Sequence, residues 1–246
     1  MRRTAVFYTY GYGYGYGFSY YGTYILIIIG VIICLVASAR MNRTFNRFSR
    51  VRSMSGMTGA QAAQRILSNA GIRDVQVTHI RGNLTDHYDP RNKTLSLSDS
   101  VYGKTSVAAI GVAAHECGHA LQHQDDYAPL RIRGAMVPVV NWGSRLAWPV
   151  LIVGIFLGGA GSILCQVGIL MFSLAVLFQL VTLPVEFNAS GRALRELDRT
   201  GILGDAELRD TRKVLRAAAM TYVASAAAII LQLLRLILIY GGGRRR

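Results

Sequence analysis

Acidic residues are scarce in this chain: 13 Asp and Glu stand against 27 Lys and Arg in 246 residues, a formal net charge of +14. That imbalance excludes an acidic, solvating protein and fits an anionic partner, either nucleic acid or an anionic membrane surface. Charge of either sign is also thin, at 16%, against 52% hydrophobic residues. Several long uncharged apolar runs decide between the two partners, because nucleic-acid domains have no use for lipid-length segments. The lipid bilayer is therefore the expected partner and nucleic acid is not. Cysteine is equally sparse. Cys34 and Cys165 lie in apolar runs, Cys117 lies inside a motif described below, and no CxxC pair exists. An odd number at wide spacing excludes a disulfide framework and a cysteine-bound metal site. A nucleophilic role for Cys117 is set aside, since packing is reason enough for a small residue there.

What is present divides the chain by hydropathy. Residues 1–23 are Gly/Tyr-rich, with Gly-Tyr alternation from Tyr10 to Gly17, and too poor in apolar content for a core, so a disordered tail is expected. Residues 24–39 read as a first transmembrane helix, with Tyr20, Tyr21 and Tyr24 at its interface. Ala37-Ser38-Ala39 looks like a signal-peptide cleavage site, but Arg40, Arg43, Arg47, Arg50 and Arg52 follow it. Such a basic flank resists export, which favours an uncleaved anchor with its downstream side in the cytoplasm.

Residues 40–145 read as a cytoplasmic α+β segment. Thr58 caps a helix with Ala62, Ala63, Ile66, Leu67 and Ala70 at helical spacing, and Gly71 ends it. Val75 and Val77 indicate a strand, Asp89 to Asn92 a turn, and Leu95 and Leu97 a second strand. A helix starts near Thr105 or Ser106. Residues 146–184 form a transmembrane hairpin bent near Gly158 to Gly161, and residues 185–216 a cytoplasmic helical segment. Residues 217–240 form a fourth transmembrane or membrane-associated helix, and residues 241–246 a basic tail. Arg235 either snorkels to an interface or marks incomplete crossing, and a full crossing puts Arg244 to Arg246 outside, against the charge rule.

The chemistry is concentrated in Ala113-Ala114-His115-Glu116-Cys117-Gly118-His119-Ala120, which contains HExxH. Residues four apart share a helix face, so both imidazoles can point at one zinc ion. Glu116, beside the first ligand, is placed to take a proton from a zinc-activated water, the combination that peptide hydrolysis needs. The plain alternative is a helix with two surface histidines one turn apart; the apolar lead-in favours the metal reading. A catalytic zinc needs a third protein ligand and an open position. His123 lies too far along a straight helix, and Gln122 and Asp125 break the metzincin spacing. Asp125 and Asp126, at the helix end, are explained by solvent exposure. Glu186 follows the hairpin at once, and a carboxylate against a span end calls for a partner. Zinc is one such partner; Arg192 or Arg195 is another.

Leu84 to Pro90, the strand Thr94 to Ser98, the run Val107 to His123 and Pro184 to Ala193 together resemble the YugP-type bacterial membrane zinc metallopeptidases. That group looks related to the HtpX-like and CAAX prenyl protease families. The resemblance implies a His-His-Glu (gluzincin-type) site, with one zinc per chain on His115, His119 and Glu186 and with Glu116 as base. The fold expected from the apolar runs and the motif together is an integral membrane protein, mostly α, with about four transmembrane helices and a small α+β zincin-like catalytic segment between the first and second. The resemblance also implies a multi-pass endopeptidase of the cell membrane, its site facing the cytoplasm. Such an enzyme acts on protein or peptide substrates, with membrane protein quality control as one setting. HtpX-like relatives usually carry an acidic residue one turn after the ligand Glu, where this chain has Ser190, so the carboxylate that would orient a ligand histidine is missing or comes from elsewhere. Asn188, two residues on, should point away. His87 and Tyr88 are candidates for oxyanion stabilisation or substrate contact. The Leu95 strand, with Leu97, is a candidate edge for an added substrate strand, whereas His79 reads as an exposed strand residue. The alternative function is a non-enzymatic zinc-binding membrane scaffold or adaptor, which has no need of Glu116. A further one is a basic membrane protein with incidental histidines, its basic loops binding anionic lipid.

Overall fold

Between Gly30 and Gly56 the chain has neither glycine nor proline, and arginine is a good helix former, so nothing stops a helix at the end of the first apolar run. In the computed structural model that helix, α1 (Tyr24–Phe48), continues through Arg40, Arg43 and Arg47. The structure describes residues 22–158 and 162–240. The Gly-Tyr tail with Tyr20 and Tyr21, the glycines from Gly159 to Gly161 and the terminal arginines lie outside them. After α1 come α2 (Gly59–Asn69), β1 (Gln76–His79), β2 (His87–Asp89), β3 (Thr94–Leu97), α3 (Val107–Gln124), α4 (Ala128–Phe156), α5 (Ser162–Arg199) and α6 (Asp205–Tyr240).

The chain is mostly helical, and four helices, α1, α4, α5 and α6, are long and apolar enough to cross a membrane. Their outer faces expose Ile28, Val31, Ile32 and Leu35 on α1 and Leu170 and Leu177 on α5. Apolar surface on that scale is tolerable against lipid and costly against water. Helices in lipid gain little from mere apolarity and associate through small residues that let backbones approach. Along α4, Gly143, Ala147, Leu151 and Gly154 form the buried stripe. A Cβ at Gly168 of α5 would meet the Leu151 side chain at 2.5 Å. Just after α4, Gly158 adopts φ +59. Arg235, within α6, is buried and stacks over the Tyr24 ring at 4.4 Å, at the end where α1 begins.

Local signals set the rest. Thr58 and Gln61 form a reciprocal capping box: the Thr58 hydroxyl accepts from the Gln61 N–H at 3.2 Å, and the Gln61 side chain accepts from the Thr58 N–H at 2.9 Å. Ser106 caps α3 by accepting from the Ala109 N–H at 3.2 Å. The sheet runs in the order β1-β3-β2, with β1 parallel and β2 antiparallel to β3. This corrects one expectation. β3 is the middle strand, Leu95 pairs with both Val77 and Tyr88, and Leu95 and Leu97 are 0% exposed. Both sides of its backbone are used and both leucines are core, so no substrate strand can add to it. The residues with an open strand edge are those of β1 and β2.

α3 is buried along most of its length, with α2 and the sheet on one side and α5 and α6 on the other. One core joins them: Ile66, Leu67, Leu95, Leu97, Ile110, Ala114 and Cys117 pack with Ala193 and Leu197 of α5 and Leu215 of α6. α5 runs unbroken through Pro184 to Arg199, so the long helices are themselves part of the core over the sheet.

The closest joint is between α3 and α5. A Cβ at Gly118 would lie 2.4 Å from the backbone oxygen of Ala189, a contact that neither helix can relieve by a side-chain rotation. Gly118→Ala is expected to destabilise the protein by about 3 kcal/mol, read as a lowered thermal midpoint in detergent. Gly103→Ala, where a Cβ meets nothing within 4 Å, should leave it unchanged.

Candidate metal centre

His115 and His119 lie one turn apart on α3, and Glu186 faces them from α5. The Glu186 Oε2 atom is 3.2 Å from His115 Nε2 and 3.7 Å from His119 Nε2. One ligand atom from each residue falls within 4.8 Å of the others. Glu186 is only 2% exposed, and its other oxygen lies 3.4 Å from the Arg133 guanidinium of α4. Neither Arg192 nor Arg195, the partners considered from sequence, makes an ion pair with it. Arg192 pairs instead with Asp125 and donates from Nε to Asn188 at 2.8 Å.

The far nitrogens of both imidazoles are also held. His115 Nδ1 is 3.1 Å from the Ser190 hydroxyl. His119 Nδ1 is 3.0 Å from the Gln122 side-chain oxygen. Gln122 is fully buried and donates its amide N–H groups to the Val185 carbonyl at 2.8 Å and to Asn188 Oδ1 at 3.0 Å. Since its nitrogen is committed to two acceptors, its oxygen accepts from His119, which puts the His119 proton on Nδ1 and leaves the Nε2 lone pair facing Glu186. Two sequence expectations are filled in here. Ser190, where an acidic residue was expected to be missing, is the group that meets His115 Nδ1. Asn188 is turned roughly 200° from Glu186 on the helix, which takes it away from the imidazoles, yet it meets Gln122 one turn further along α3.

A cavity of about 150 Å³ opens on this cluster, lined by His115, Glu116, Glu186 and Ser190. Its other walls come from α1 (Met41), the segment before β2 (Leu84, Asp86) and α6 (Val214, Ala218, Tyr222). Glu116, which lines it, is buried. Burial also raises the Asp86 carboxyl above its ordinary value, against the opposing hydrogen bonds it accepts from the Ser98 N–H and hydroxyl. Burial alone would lower His119, but the carboxylates of Glu186 and Glu116 outweigh it and its pKa is raised. The Cys117 thiol, 0% exposed, is pushed well above its ordinary value by burial first and by Glu116 next, which leaves it no nucleophilic role.

Other candidates lie elsewhere. His87 and Tyr88 belong to strand β2, and neither lines the cavity. His87 is exposed and bonds the Thr85 carbonyl at 3.0 Å. The Tyr88 hydroxyl is 2.8 Å from His123 Nδ1, and its pKa is pushed up to about 12 by burial and then by Asp74 and Asp89. His123 is thereby drawn to the sheet, away from the His115 cluster. His79 is exposed and pairs with Asp99 at 2.8 Å. Sequence reasoning missed Arg133, Gln122 and Tyr222, and only Asp86 carried a signal, through the Leu84 to Pro90 stretch.

A family model described as "Putative neutral zinc metallopeptidase" matches residues 23–241. The "Putative membrane protease YugP" of Bacillus subtilis (strain 168) is 47% identical over 208 residues, which is 85% of this chain and 92% of that one. No solved structure matches the chain.

If the bonds to Nδ1 set the imidazoles for a metal, cutting one should loosen it. Gln122→Ala is expected to weaken zinc retention about 10–100-fold, measured by titrating the zinc-loaded protein with a chelator. Asp99→Asn, beyond β3, should retain zinc as the unaltered protein does.

Proposed function

The chain belongs to this family of zinc metallopeptidases, and from that membership we propose that it is a membrane-bound, zinc-dependent endopeptidase that holds one ion per chain on His115, His119 and Glu186. The observation that carries the proposal is the convergence of two imidazole nitrogens and one carboxylate oxygen within 4.8 Å, with Glu116 lining the same cavity. The donor set suits zinc, and three protein ligands leave a fourth position for water or substrate. When bound, zinc would supply Lewis acidity that polarises a carbonyl and makes a water more acidic.

The chain's own residues do the rest. Glu116 takes the proton of the attacking water and returns it to the leaving amine. Ser190 and Gln122 hold the two imidazoles by Nδ1 so that Nε2 stays free. Tyr222 brings a hydroxyl donor into the cavity for the charge that develops on the carbonyl oxygen. An extended substrate lies along the open edge of β2, at His87 to Asp89, with Asp86 leading from that edge into the cavity. The arginines after the first apolar run, and those of residues 185–216, favour a cytoplasmic site. Glu186 follows an apolar stretch at once, so the reaction centre sits at the level where a membrane surface is expected. Membrane or misfolded proteins, as in quality control, are the substrates that such a position admits. A zinc scaffold would leave the buried Glu116 carboxylate without a purpose.

The test pairs metal content with cleavage in detergent-purified protein. The zinc-to-protein ratio should be near one, and Glu186→Ala should lower it sharply. Glu116→Gln should keep the zinc and lose about 10²–10⁴-fold in cleavage rate. Full zinc in Glu186→Ala would remove Glu186 as a ligand, and undiminished cleavage by Glu116→Gln would overturn the mechanism. A zinc-loaded protein that cuts no membrane protein or peptide in a broad survey would favour the scaffold.

A further inference from the structure

α1 and α6 lie antiparallel along each other. Tyr24 meets Arg235, Gly30 meets Ala228, and Phe48 meets Lys213. Each helix changes from apolar to charged at the same level, α1 after Ala39 and α6 before Ala217. At that level the pair forms a cavity of about 590 Å³, remote in chemistry from the metal centre. Three of its cations, Arg40, Arg43 and Arg47, come from α1, and two, Lys213 and Arg216, come from α6. Among the described residues, no carboxylate lines it.

Two of the cations are held against a ring, and four of the five have no ion-pair partner among the described residues. Phe48 is 4% exposed, and its ring carries the Arg47 guanidinium at 5.4 Å and the Lys213 ammonium at 5.6 Å. Cation–π contacts of this kind hold charge in place without neutralising it. Lys213 has Asp210 at 2.7 Å. Among the described residues, the guanidinium groups of Arg40, Arg43, Arg47 and Arg216 have no ion-pair partner. The four unpaired guanidinium groups around one depression repel one another, and an anion entering it is attracted by all of them, with Lys213 adding a charge already shared with Asp210. Basic residues flanking a membrane helix usually spread over the surface. Here they converge on one cavity between two helices, whose remaining lining includes Ala217 and Met220. Met220 is 44% exposed and continues into the apolar half of α6, so the cavity is charged at one end and oily at the other. A free phosphate matches only the charged end; a phospholipid matches both.

We propose that this cavity binds the headgroup of an anionic phospholipid, with the phosphodiester held by Arg40, Arg43, Arg47, Lys213 and Arg216 and the acyl chains laid along the apolar halves of α1 and α6. The site is independent of the metal-centre reading. It does, however, share its walls: Met41 of α1 and Val214 and Ala218 of α6 line the metal-centre cavity from other positions on the same helices.

The experiment uses the full chain, purified, delipidated and placed in nanodiscs or detergent with defined lipid, with bound lipid counted by native mass spectrometry. Phosphatidylglycerol should be retained at about one per chain and phosphatidylcholine should not. Arg43→Gln with Arg216→Gln should weaken phosphatidylglycerol binding at least about 10-fold. Arg50→Gln with Arg209→Gln, which removes the same charge at exposed positions outside the cavity, should not. Equal losses in the two double variants would overturn the proposal in favour of diffuse attraction. So would equal retention of both lipids, or displacement of phosphatidylglycerol by millimolar inorganic phosphate. Should the cavity variant fail to fold, the unaltered protein decides: its thermal midpoint must rise with phosphatidylglycerol and not with phosphatidylcholine, and an equal response to both would refute the site.

Discussion

A carboxylate that is 2% exposed at the end of an apolar helical stretch has to be satisfied where it stands, and the arrangement of the helices follows from meeting that need for Glu186. Removing a charge from water costs several kcal/mol or more unless partners replace the lost hydration. Glu186 draws its partners from two other helices, His115 and His119 from α3 and Arg133 from α4. For α3 to bring both imidazoles that close, its backbone must approach α5 more tightly than any side chain allows, which is why Gly118 faces the Ala189 carbonyl. For α4 to bring Arg133, it must become helical at Ala128, well before its most apolar part begins. The polar contacts therefore dictate the helix joints, and the apolar packing fills in around them.

The same constraint ties the sheet segment to the long helices. Ala193, Leu197 and Leu215, on the long helices, are core residues for the sheet and α2. α5 contributes lipid-facing side chains, then Glu186, Asn188 and Ser190, then that core, all on one uninterrupted helix. A motion of α5 relative to α3 would disturb the Nε2 convergence and the Nδ1 hydrogen bonds together. The geometry of the His115–His119–Glu186 cluster and the packing of the long helices on the sheet are thus one property.

How much of this was legible in the residues depends on the range of the interaction. The capping box at Thr58 and Gln61, the Ser106 cap and the His115–His119 pairing are local and were readable, because spacing along one element determines them. Glu186 stood out because a charge beside an apolar run is conspicuous wherever its partner lies, but the local pattern left its partner open and the resemblance pointed to the histidines. The pairing order of the strands was not readable. β3 pairs directly with β1 in parallel although β2 comes between them in sequence, so the strand that looked free for substrate is the one enclosed. Gln122, Ser190, Arg133 and Tyr222 also gave no local sign. Each acts across helices, and an uncharged glutamine or serine on a helix looks the same whether it faces water or a buried imidazole. Asn188 shows the limit well. Its helical angle put it away from the imidazoles, but not the reach of Gln122 toward it.

The α1–α6 pair carries the last step. Its two helices are held together along the apolar halves by close approach, Gly30 against Ala228, and by the Tyr24–Arg235 stack at one end. At the other end five cations gather, and like charge there opposes the approach that packing favours. Whatever neutralises that end therefore sets the spacing of the pair where Met41, Val214 and Ala218 form walls of the metal-centre cavity. An anion held between α1 and α6 and a substrate held beside Glu116 would both act on that one spacing, and linkage requires any effect of one on the other to be returned. Occupancy of the basic cavity and access to the metal centre would then be two readings of one helix–helix distance.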